Sequence, residues 1–221
     1  MIKSRFSSNY IFPLLSIFVV SFVLSLFLLQ IIGGIIFILW LFEKREEKKK
    51  IIDILTISIF VFGALRLLSI YFSSFPSDSY EALYKEAFFY IALVSLCFYL
   101  KTLDKKMILY LLLIFILGAA VMSLVGITRF VFGNVDRAQA FSSSYAVFSS
   151  YLMVALGLAL FFPRRFQNNK SLFYWSIIIL ILFVGILTSL GRTNIIISIL
   201  LIIAAVVKKK MNWKQLFLLI T

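Results

Sequence analysis

The sequence predicts an all-α protein, a polytopic transmembrane helix bundle of about eight complete spans plus the start of another. Three observations predict it. Hydrophobic residues make up 63% of the chain, charged residues 14%, and the mean hydropathy is +1.09. Ordinary soluble domains are roughly 45–50% apolar and about 25% charged. Long charge-free runs recur, and at roughly 20 residues per span about eight or nine fit 221 residues. The basic residues fall in short segments between those runs, where membrane topology places them. A soluble domain, a disordered tail and a disulfide scaffold are excluded. One transmembrane domain over 1–221 is expected.

The elements follow in order. Met1–Tyr10 carries Lys3 and Arg5 before an apolar run, with no small-residue cleavage site, so a retained first span is expected rather than a signal peptide. Ile11–Phe42 holds 32 residues without a charge. One helix of that length would be about 48 Å long against a hydrocarbon core of about 30 Å. Both flanks are basic, so two short spans turning near Gln30–Gly34 are expected, with one long tilted helix as the alternative. Ile51–Phe72 then runs outward, Ser73–Lys85 is an outer loop, and Glu86–Leu100 returns. Met107–Ile127 runs outward and Thr128–Ser143 is an outer loop. Ser144–Phe162 returns, Ser171–Leu190 runs outward, Gly191–Asn194 is a tight outer turn and Ile195–Val207 returns. Trp213–Thr221 opens another span.

Charge supports this alternation. Of 22 Lys and Arg, 17 fall on one side, in the segments around 3–5, 44–50, 101–106, 164–170 and 208–214. That side is the cytoplasm, and the N-terminus lies there. The net charge of +13 therefore reports topology, and no nucleic acid partner is expected. The remaining five are Arg66, Lys85, Arg129, Arg137 and Arg192, all in or near the outer half.

Little in the chain carries soluble-enzyme chemistry. No His is present, and the lone Cys97 sits in an apolar stretch as a core thiol. There is no triad, no Cys/His metal set and no phosphate-binding Gly-rich loop. No metal or other cofactor is expected. Asp53 reads as a solvated residue at a helix entrance.

The outer arginines are the informative residues. A cation beside hydrocarbon is costly and is usually functional or paired. The guanidinium fork grips phosphate through two hydrogen bonds. Arg137 lies in Asp136-Arg137-Ala138-Gln139-Ala140-Phe141, and Arg192 in Ser189-Leu190-Gly191-Arg192-Thr193-Asn194. From separate loops they can converge on one polyanionic group, and an isoprenoid diphosphate fits because its tail stays in the bilayer. Snorkelling at headgroup level is the competing reading for each. Arg66, Arg129 and Ser189 are secondary candidates, and Tyr145 and Phe141 are candidates for sugar stacking.

Three places carry a family resemblance. Leu67-Leu68-Ser69 precedes the outer Pro76–Lys85 segment and a returning span. Gly126-Ile127 is followed by Arg137-Ala138-Gln139-Ala140-Phe141 and then Ala146-Val147-Phe148. Leu187-Thr188-Ser189-Leu190-Gly191-Arg192 ends a span. In these the chain resembles the N-terminal half of the O-antigen ligase / O-antigen polymerase family of bacterial envelope glycosyltransferases. The second stretch is similar to that family's Arg-x-x-Gly-x-Phe before Pro-Asn and a helix, and the third to its Thr-x-Ser-Arg. Ala140 stands where the family favours Gly, Ser144-Tyr145 where it has Pro-Asn, and Gly191 where Ser precedes the Arg, with Ser189 in the Thr place.

The resemblance implies a bacterial inner-membrane, multi-pass protein. Such proteins transfer or polymerise undecaprenyl-diphosphate-linked glycan at the outer face in lipopolysaccharide or surface-polysaccharide biosynthesis. Its partners would be that glycan lipid, a lipid or glycan acceptor, and membrane lipids. Arg137 and Arg192 would bind the diphosphate leaving group. Family members have about a dozen spans of roughly 20 residues and a catalytic histidine in a large outer loop of the C-terminal half. The chain would then be the N-terminal part of such a protein, inactive alone, with no catalytic residue of its own. Two other readings stand beside it: a transporter or flippase-like permease binding an anionic or lipid-linked substrate through the same arginines, and a non-catalytic membrane scaffold.

Overall fold

The computed structural model describes Ser4, Phe6 and residues 8–49, 54–133, 135–140, 144–162 and 169–208. Among these residues the protein is all-α, without a strand. The helices are α1 (Ser8–Leu24), α2 (Leu26–Leu41), α3 (Arg45–Lys49), α4 (Ile54–Tyr71), α5 (Pro76–Thr102), α6 (Lys105–Val131), α7 (Tyr145–Phe161), α8 (Asn169–Thr188) and α9 (Arg192–Val207).

Among the described residues the expected eight complete spans are not found. Among the described residues one helix, α6, is long and apolar enough to cross a membrane by length and composition. Its 27 residues rise about 40 Å at 1.5 Å each. Only 33% of its apolar stretch is buried inside the protein, unlike the covered core helix of a globular domain. The other apolar stretches within helices, among the described residues, reach 17 residues at most, about 26 Å of rise against a core of about 30 Å. Composition reveals apolar runs. It does not reveal where the helix inside each run stops, and that is what the expectation missed. The Trp213–Thr221 start of a further span, Lys3, Arg5, Asp53 and Phe141 lie outside the described residues.

Three boundaries also differ from expectation. The break in 11–42 falls at Ser25, not at Gln30–Gly34. Leu29, Gly33 and Ile36 instead share one buried face of α2, and packing along that face carries the helix through the two glycines. The expected Ser73–Lys85 loop is mostly helix. Pro76 opens α5 in its first turn, with Asp78 beside it, and both suit a helix N-terminus. The following Glu, Ala, Leu and Lys residues are good helix formers. Lastly, α9 begins at Arg192, inside the expected Gly191–Asn194 turn.

The described residues divide into two compact units. The first comprises residues 4–22 and 26–111, and the second residues 23–25 and 112–208. In the first, α2 and α4 both pack on α5. Ile11, Leu15, Ile36, Phe98, Tyr99, Leu103 and Leu111 form its core. Beside that core Glu43 is buried and accepts a hydrogen bond from the Ser4 hydroxyl. Burial, and then the Glu43 carboxylate, push the Tyr99 hydroxyl well above its ordinary pKa. The sign follows from linkage. The phenol stays neutral in the folded state and ionises near pH 10 in the unfolded chain. Its contribution is therefore full below pH ~10 and is lost above it. Thermal unfolding across pH 8–11 should show a decline above pH ~10 that Tyr99→Phe reduces; identical curves for the two proteins would contradict this.

In the second unit α7 packs on both α8 and α9. Small buried residues, Ala155 and Ala159 on α7 and Gly185 on α8, let the helix axes approach. The Trp175 indole donates to the Ala159 carbonyl at 2.9 Å and packs on Phe162, ring centroids 5.1 Å apart. Ser123 on α6 donates to the Ile181 carbonyl of α8 at 2.7 Å. Large apolar side chains remain exposed throughout, including Phe60, Phe72, Val131, Phe132 and Leu200.

Candidate functional site: an arginine-bearing end of the second unit

One end of the second unit is built from four pieces. They are the last turn of α6, the loop 135–140, the start of α7 and the α8–α9 reversal. The loop is held at two points. The Ala138 amide donates to the Thr188 carbonyl at 3.0 Å, closing the end of α8. The Arg129 guanidinium, in the last turn of α6, donates to the Ala140 and Gln139 carbonyls. Ala138 and Ala140 are buried. Their small side chains let the loop lie against the helices.

This clamping turns Arg137 outward. It is exposed, and its guanidinium carbon sits 4.4 Å above the Tyr145 ring centroid, a cation–π contact. Tyr145 is the first residue of α7, and Ser144 caps that helix by accepting from the Val147 amide at 3.3 Å. The aromatic face holds the planar fork in one orientation. That lowers the ordering cost of gripping an anion.

Arg192 arrives from the other side of the same end. Leu190 has φ 55°, the left-handed region, which disfavours bulky side chains. Strain of this kind persists where surrounding structure enforces it. Here the Ser189 hydroxyl donates to the Ile186 carbonyl at 2.6 Å and accepts from the Gly191 amide at 3.4 Å. Asn194 then ties α9 to α7, donating to Ser149 Oγ at 2.6 Å. Arg192, exposed, is the first residue of α9.

Arg137 and Arg192 thus both lie at this end of the second unit. The Ala138–Thr188 bond links the two segments directly. Arg129 belongs to the same end but serves as the clamp on the loop. Ser189 is fully buried and holds the reversal. Arg66 stands on α4, in the first unit, where its carbonyl accepts from Ser69. Asn194 and Leu190 are the residues that the sequence reading missed.

The electrostatics favour an anion. Three arginines face one acid, the exposed Asp136. Helices α7 and α9 begin here, so the positive ends of their dipoles lie at this end. Helices α6 and α8 end here, but Arg129 sits at the first terminus and the Ala138 amide closes the second. Among the described residues no three His, Cys, Asp or Glu side chains come together as metal ligands.

Asn194→Ala should leave Ser149, itself buried, without its donor. Ser149 keeps its own bond to the Ala146 carbonyl, so the loss is that of one hydrogen bond, about 0.5–1.5 kcal/mol. Thermal unfolding should register that loss; a midpoint equal to wild type would show that Asn194 does not hold the reversal.

No family model matches the chain, and no curated protein or solved structure matches it.

Proposed function

We propose that this is a bacterial inner-membrane protein of the O-antigen ligase / O-antigen polymerase kind. On this reading it binds an undecaprenyl-diphosphate-linked glycan at the outer face of the membrane through Arg137 and Arg192. The observation that carries the reading is the placement of two exposed arginines, from separate segments, at the end of an apolar unit where two helices begin. An anionic headgroup on a hydrophobic tail suits that end: the charge meets the guanidinium forks while the tail stays in hydrocarbon. Orientation follows from α6. Lys105 and Lys106 open it and mark the cytoplasmic end, so its Arg129 end faces outward.

The residues in hand bind and orient. A diphosphate gains negative charge as it leaves the glycan, and fixed cations stabilise such developing charge. Bond-breaking itself is not assigned to any residue of this chain.

The test is a binding titration on the chain in lipid nanodiscs. Undecaprenyl diphosphate should bind with an affinity that falls as salt rises, because exposed charges are screened. Undecaprenol, which has the tail without the charge, should not compete. Equal binding of the two would overturn the proposal.

A further inference from the structure

The first unit contains a groove of about 560 Å³. Phe37 and Trp40 of α2, Phe60, Gly63 and Leu67 of α4, and Tyr90 of α5 are among its walls. Gly63 lies inside α4, where glycine costs about 1 kcal/mol relative to alanine. A helix glycine is commonly explained by close packing, and that explanation fails here. A Cβ built at Gly63 meets nothing within 4 Å. What the missing side chain preserves is the open space of the groove.

The groove has a cationic edge. Lys48 Nζ stands 4.7 Å over the ring centroid of Trp40, a wall residue. It donates one of its three N–H bonds to the Leu41 carbonyl at 2.9 Å. Lys44, Arg45 and Lys49 flank it, against Glu46 and Glu47. The opening is therefore apolar along its walls and net positive at the Trp40 end.

We propose that this groove is a binding site for one acyl chain of an anionic phospholipid, with the headgroup at Lys48. Size favours a fatty acyl chain. A long apolar lining of aromatic and aliphatic side chains around about 560 Å³ suits a single hydrocarbon chain. Charge favours an anionic headgroup, since a neighbouring lysine contributes roughly a fivefold preference for it at a membrane surface. This site lies in the first unit, and the proposal does not rest on the reading of Arg137 and Arg192.

The experiment is native mass spectrometry of the full chain after detergent extraction and exposure to phosphatidylglycerol and phosphatidylcholine. Wild type should retain one phospholipid, with phosphatidylglycerol preferred by about fivefold. Gly63→Leu should retain none while its melting temperature stays level or rises, because the new side chain fills free space and improves helix propensity. Lys48→Gln should still retain lipid but lose the headgroup preference. Retention unchanged in Gly63→Leu would overturn the proposal. So would a lipid-free wild type, or a dimer dissociated by Gly63→Leu, which would make the groove a contact between copies.

Discussion

Arg137→Ala and Arg192→Ala should each weaken binding of undecaprenyl diphosphate by about 10- to 100-fold while leaving the helix content of the protein intact. The magnitude follows from hydrogen bonds to charged groups, worth about 1.5–3 kcal/mol each. Both side chains are exposed, so truncating either uncovers no cavity and strands no buried partner. The two variants should differ in one respect. Arg137 is held over Tyr145, so Tyr145→Leu should weaken binding through lost orientation even though no charge is removed. Lysine at either position should restore only part of the affinity, because an ammonium supplies charge without the fork. Binding assays on the five variants check this. Undiminished affinity in both alanine variants would show that the diphosphate sits elsewhere.

Gly185→Val should lower the stability of the second unit by about 2–4 kcal/mol. A Cβ at position 185 would overlap the Ser123 hydroxyl and come within 2.8 Å of Leu152 Cδ1. Two helices press on that point, so neither neighbour has room to retreat. Overpacking costs about 1–3 kcal/mol, and displacing Ser123 breaks its bond to the Ile181 carbonyl, worth about 1 kcal/mol more. For a unit near 100 residues the midpoint should fall by roughly 10 °C or more. Gly63→Leu is the internal control, since the space beside Gly63 is empty. Equal melting temperatures for wild type and Gly185→Val would refute the close approach of α6, α7 and α8.

Much of the helical content was legible because apolar runs and punctuation coincide. Tyr145–Phe161 sits in one charge-free run, and Ser144 announces its start by being a good N-cap residue. The helix Lys105–Val131 also lies close to its expected bounds. Span number was not legible. A charge-free run says that residues are apolar, and only packing decides whether one helix continues through it. Ser25 breaks one such run while Gly33 and Gly34 do not. Nor did hydropathy foresee that the charged stretch after Pro76 is helical, because solvated helices tolerate charges as readily as loops do.

At the site, the two arginines stood out in the sequence as cations flanking apolar runs, and short connections on either side bring both to one end of the second unit. Their roles were less so. Arg129 and Arg137 look alike in sequence, yet one is spent on loop carbonyls and the other points away. Ser189 reads as a motif residue but is buried at the reversal. The Asn194–Ser149 bond joins residues 45 apart, and no local pattern encodes it. Leu190 takes the left-handed conformation although a glycine follows it, so the usual signal for a positive φ falls one residue late.

The most direct measurement is photo-crosslinking with an undecaprenyl diphosphate analogue whose reactive group lies beside the phosphates, followed by peptide mapping. The account predicts labels on residues 135–140, on Tyr145 and on residues 190–194. They should be competed by unlabelled undecaprenyl diphosphate and absent from the Arg137→Ala, Arg192→Ala double variant. Labels confined to other segments, or equally strong in that variant, would contradict it.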